Sequence, residues 1–134
     1  MRRNQFARSA VVEWHATIGR RFMSESEMRI AYTEALFRDV NERIAETAER
    51  LGADETEFVC ECGDPACAER VPASLDEYER VREDATHFLL VPGHENSRIE
   101  RVVERPRLRL AVVAKFNKLV ARTVRRLDPR ADSA

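Results

Sequence analysis

Glu57-Phe58-Val59-Cys60-Glu61-Cys62-Gly63-Asp64-Pro65-Ala66-Cys67 is the stretch that decides how this chain is read. Glu57–Cys62 reads as a strand, on which Cys60 and Cys62 point to the same side because side chains alternate. Gly63-Asp64-Pro65 is turn chemistry and can bring Cys67 back toward the other two. The chain has three cysteines, all of them here. Thiolates gathered on one tight turn are good soft ligands, and three of them can bind one zinc ion with Zn–S bonds of about 2.3 Å.

A fourth ligand has to come from elsewhere. His94, in Pro92-Gly93-His94-Glu95, is the first choice because it follows a strand on a loop free to orient an imidazole. His87, at the start of the same strand, is second. Asp64 and Glu61 rank lower, since zinc held by three thiolates more often takes sulfur or nitrogen. The expected metal set is therefore Cys60, Cys62, Cys67 and His94. Two other readings of the cysteines stay open, as free thiols or as a thiol-redox site. A Cys60–Cys62 disulfide would close a strained, easily reduced ring. Glu95 beside His94 suggests an acid/base pair or a carboxylate supporting a ligand histidine.

On the N-terminal side, Ser24-Glu25-Ser26-Glu27 is a capping-box pattern. A long helix is expected from Glu25 to Leu51, stopped by Gly52. Ile30, Thr33, Phe37, Val40, Ile44, Thr47 and Leu51 form a seam at heptad spacing. At 1.5 Å per residue the helix spans roughly 40 Å, more than a small sheet covers. The seam is expected to pack on the core, and a homodimer through helix 25–51 is the partner it suggests. Residues 1–22 read as a basic amphipathic arm with Val11, Trp14, Ile18 and Phe22 at helical spacing, and Met23 is an alternative natural start. His15, in that arm, carries no expected role.

On the C-terminal side, Ser74-Leu75-Asp76-Glu77 caps a short helix bearing Leu75, Tyr78 and Val81. His87–Val91 reads as a strand stopped by Pro92-Gly93. Ile99–Glu104 and Leu108–Lys115 form a hairpin around Arg105-Pro106-Arg107, with Leu108, Leu110, Val112 and Ala114 on the buried face. Asn117 caps a last helix with Val120, Val124 and Leu127 inward. The expectation is an α+β fold: a long N-terminal helix, a small, mostly antiparallel sheet of three to four strands with one short helix, and a C-terminal helix. Residues 23–127 form one domain and residues 128–134 a disordered tail.

The chain has 134 residues, 35% of them charged, with a net charge of -1. That balance requires no nucleic-acid or membrane partner. Arg101, Arg105, Arg107, Arg109, Lys115, Arg122, Arg125 and Arg126 make the C-terminal part basic, yet a solvated face explains them and nucleic-acid binding is expected to be weak at most. No apolar run reaches the ~18–20 residues of a membrane span. A soluble, cytoplasmic protein with reduced cysteines is the expectation. There is no Gly-rich phosphate loop, no H-E-x-x-H and no G-x-S-x-G motif, so an enzyme is the least supported class.

Four strings together resemble a set of small uncharacterised actinobacterial proteins. They are Leu36 to Ile44, Phe58 to Cys67 with its F-V-C-E-C-G-D-x-x-C pattern, Glu77 to Arg82, and Phe88 to Glu95 with its P-G-H-E ending. The resemblance covers roughly residues 30–115 and carries no activity. It implies that Cys60, Cys62, Cys67 and His94 belong to one pattern. Three functions compete on these grounds: a zinc-stapled, non-enzymatic binding or regulatory domain; a thiol-based redox or metal sensor; and a weak nucleic-acid binder.

Overall fold

A computed structural model describes residues 23–131. The readings of residues 1–22 and 132–134 lie outside the described residues. The elements are α1 (Glu25–Arg50), β1 (Glu55–Val59), β2 (Arg70–Ser74), α2 (Leu75–Val81), β3 (His87–Leu90), β4 (Glu100–Arg107), β5 (Leu110–Lys115) and α3 (Lys118–Arg126). The class is α+β, as expected, but the strands divide into two antiparallel sheets, β1-β2 and β3-β5-β4.

The helix starts follow from local chemistry. Ser24 accepts from the Glu27 amide at 3.1 Å, and the Glu27 carboxylate accepts from the Ser24 amide at 2.9 Å. Ser74 and Glu77 repeat the same reciprocal pair, and Asn117 caps α3. Gly52 ends α1 with φ 73°, a left-handed conformation that glycine adopts without a side-chain penalty.

The cysteine segment joins the two sheets. Beyond β1, the Cys60 amide still donates to the Glu69 carbonyl at 3.1 Å. The next amide, Glu61, donates instead to Leu89 on β3 at 2.9 Å. The chain thus leaves one sheet at Cys60 and meets the edge of the other one residue later. Glu61 points opposite to its cysteine neighbours, is fully buried, and accepts from Asn41 Nδ2 at 2.9 Å and the Leu89 amide at 3.1 Å. Burial pushes its carboxyl above the ordinary range. That placement explains why Glu61 is not a donor to the cysteine site.

The face that α1 buries corrects the sequence reading. It consists of Ala31, Glu34, Arg38, Asn41, Ala45 and Ala48, one position round from the expected seam. Val40 and Leu51 of that seam are exposed, at 39% and 79%, and Ile30, Phe37 and Ile44 are half-buried. Small alanines let the strands approach, and each polar side chain meets a partner inside. Asn41 holds both the Val59 carbonyl and the Val59 amide. Arg38 donates to the carbonyls of Ala85 and His87 and lies 3.6 Å from the Phe88 ring centroid. Glu34 accepts from Lys115 at 2.6 Å, and Lys115 also bonds Glu100. Unpartnered, such buried charges would cost several kcal/mol.

Burial pushes Glu34 up to about 8, with Glu100 adding to the rise and Lys115 opposing it. In the unfolded chain its proton is lost near 4.5, so the folded state binds the extra proton between those values. Stability contributed at this residue is therefore expected to fall as pH rises from about 4.5 to about 8. In urea unfolding across that window, the parent's stability should fall more steeply, or rise less, with pH than that of Glu34→Gln. An unchanged slope would contradict the assignment.

Two further departures concern the C-terminal part. The hairpin turns at Leu108-Arg109, with Arg107 opposite Leu110, rather than at 105–107. Strand β4 runs through Pro106 because it is an edge strand with register irregularities, where a missing N–H costs little. The expected tail is also structured as far as Ala131. Asp128 is buried in a two-pronged ion pair with Arg82. Burial pushes its carboxyl up, but the Arg82 bonds more than offset this and leave it below its ordinary range. Arg130 bridges Glu42 and Glu79.

Candidate metal centre

The structure brings Cys60, Cys62, Cys67 and His94 together, with one donor atom from each lying within 4.8 Å of all the others. Cys60 and Cys62 are buried, at 1% and 2% exposure, while Cys67 and His94 stand half-buried at the rim. His94 Nδ1 lies 3.6 Å from Cys60 Sγ and 3.7 Å from Cys67 Sγ. Tetrahedral bonds of about 2.0–2.3 Å give donor separations of about 3.5–3.8 Å, so these gaps suit one ion. All three cysteines are free thiols.

Each part of the site is placed by local structure. Cys60 and Cys62 leave β1 on one side of the chain. Asp64 shapes the turn: its carboxylate accepts from the Ala66 amide at 2.9 Å and its carbonyl from the Cys67 amide at 3.0 Å. Gly63 is required because α1 packs directly on the turn. A Cβ there would lie 2.5 Å from Ile30 Cγ2. His94 arrives on the loop after β3, where Gly93 takes φ 97° and the His94 amide donates to the Val91 carbonyl.

A backbone amide also points at the cluster: that of Val91 donates to Cys60 Sγ at 3.2 Å. Such bonds favour thiolates. The Cys60 thiol keeps its proton, held above the ordinary range by its hydrogen bond to Cys62 and by burial. Cys62 accepts that bond and is pulled down to about 5. Burial pushes Cys67 up. A metal bound to all three sulfurs would displace their remaining thiol protons.

The other sequence candidates do not join the site. His87 stands at the far end of β3, its Nε2 3.5 Å from Asp84. The Glu95 carboxylate accepts from the Gly93 amide at 3.0 Å and bonds its own loop. The carboxylate that meets His94 is Glu69, at 2.8 Å from Nε2. Sequence reading missed Glu69 because it did not recognise β2, whose pairing with β1 folds residue 69 over Cys60. Its place two residues past Cys67, before Arg70-Val71-Pro72-Ala73, was the available signal.

A cavity of about 370 Å³ opens beside the site, lined by Ile30, Cys62, Gly63, Asp64, His94 and Asn96. Comparison of the chain with protein-family models, curated proteins and solved structures finds no match. Among the described residues, no helix is long and apolar enough to cross a membrane.

Proposed function

We propose that this chain is a zinc-stapled, non-enzymatic binding or regulatory domain, with Cys60, Cys62, Cys67 and His94 as the four zinc ligands. The observation that supports this best is the convergence of three thiols and an imidazole nitrogen within 4.8 Å of one another, with the Val91 amide on Cys60 and the Glu69 carboxylate on His94. A three-sulfur, one-nitrogen donor set suits zinc by softness and by tetrahedral spacing. Four protein donors leave no open position, which fits a structural ion better than a catalytic one. The ion would tie the end of β1 to the loop after β3 and so link the two sheets. Zinc content of protein purified without chelator, with thermal unfolding before and after zinc removal, tests the reading. One zinc per chain and a lower Tm on removal are expected; no bound zinc and an unchanged Tm would refute it.

The cavity against Cys62 and His94 favours a second reading of the same site, as a thiol-based redox or metal sensor. Zinc release at stoichiometric peroxide would promote it over a purely structural staple. For nucleic acid the geometry is less favourable. Lys115 is buried between Glu34 and Glu100, and Arg107 bonds Glu55 and Glu77. Exposed Arg101, Arg105, Arg109, Arg122, Arg125 and Arg126 are read as a solvated face.

For partners, the half-exposed seam on α1 supports self-association with a second copy. Val40, Ile44, Thr47 and Leu51 line an apolar groove with Ala53 and Thr56. Sedimentation is expected to give a dimer that Val40→Glu reduces to monomer. Equal masses for the parent and the variant would sink this reading.

A further inference from the structure

We propose that Glu69 is the positioning residue that makes Nδ1, rather than Nε2, the metal-binding atom of His94. This deepens the zinc reading above and rests on it. Glu69 touches the site in two ways. Its carbonyl accepts from the Cys60 amide at 3.1 Å, and its carboxylate lies 2.8 Å from His94 Nε2. One residue thus ties a cysteine and the histidine to the start of β2.

The chemistry of the carboxylate bond decides the ring's role. An ionised carboxylate only accepts hydrogen bonds, so Nε2 carries the proton in that contact. In neutral imidazole the other nitrogen then has a bare lone pair. That nitrogen, Nδ1, is the one 3.6 Å and 3.7 Å from the sulfurs of Cys60 and Cys67. The same bond stops the ring from turning its other nitrogen inward. His94 sits on a loop, and among the described residues no other carboxylate or carbonyl meets its Nε2.

The test compares the full chain with Glu69→Gln and Glu69→Ala. Zinc affinity is measured by competition with a chromophoric chelator, and the His94 tautomer by two-dimensional ¹⁵N NMR of the zinc-loaded proteins. The parent is expected to show Nδ1 bound to zinc and Nε2 protonated. Glu69→Ala is expected to lose about 10–100-fold in affinity and to show a mixture of ligating nitrogens. Glu69→Gln, whose amide oxygen can still accept from Nε2, should keep the parent tautomer and lose less affinity. That ordering, with the nitrogen exchange, separates positioning from a general loss of stability, and Gln serves if the Ala variant does not fold. If the parent binds zinc through Nε2, or if both variants match its affinity and tautomer, the role of Glu69 is overturned while the zinc site stands. If the parent binds no zinc, the zinc reading fails and this inference falls with it.

Discussion

Replacing Cys62 with serine is expected to strip zinc from the protein and remove about 4 kcal/mol of stability at free zinc ~1,000-fold above the dissociation constant. Zinc bound only to the folded state adds free energy to folding through mass action. Cys62 is the donor whose loss should matter most. It is buried, and its thiol is pulled down to about 5. A serine hydroxyl stays protonated at neutral pH and offers no soft anion to the metal. In a domain of this size the loss corresponds to a Tm drop of more than about 10 °C. Without zinc, parent and variant should differ by much less, because mass action by the metal no longer separates them. Zinc binding by Cys62→Ser at parent affinity would contradict the assignment.

Lys115→Met is expected to cost about 3–5 kcal/mol without changing zinc content. The Lys115 ammonium is buried between Glu34 and Glu100 and faces the Phe88 ring at 4.7 Å. Removing it leaves two buried carboxyls with no cation between them. Glu34 can stay protonated, since burial already pushes it up to about 8, but Glu100 then lacks its partner. Converting all three to apolar residues of similar volume should recover most of the loss, because the penalty lies in the uncompensated charge. Urea denaturation of the single and triple variants measures both effects. A single-variant loss below about 1 kcal/mol would contradict a penalty from uncompensated buried charge.

Capping chemistry made the helices legible in the sequence, since Ser24/Glu27, Ser74/Glu77 and Asn117 act over a few residues and need no tertiary partner. The cysteine turn was legible for the same reason: strand alternation and Gly63-Asp64-Pro65 bring the sulfurs together locally. His94 could be named because a strand end followed by Pro92-Gly93 leaves few places for the next side chain. Strand β2 was hidden by Pro72, which reads against a strand but is tolerated in a two-stranded sheet whose members are both edges. The buried face of α1 was hidden more deeply. A hydrophobic seam points to Ile30, Phe37 and Ile44, whereas burial falls on Glu34, Arg38 and Asn41, whose partners lie as far away as Lys115. No local pattern encodes that pairing. Asp128 was hidden likewise, because Arg82, its buried partner, is distant in sequence.

The most direct test of the zinc reading is the X-ray absorption spectrum at the zinc edge of the zinc-loaded chain. Three sulfur neighbours at about 2.3 Å and one nitrogen at about 2.0–2.1 Å are expected, with the nitrogen lost or replaced in His94→Ala. A shell of oxygen and nitrogen alone, or zinc that washes away on gel filtration, would contradict the account.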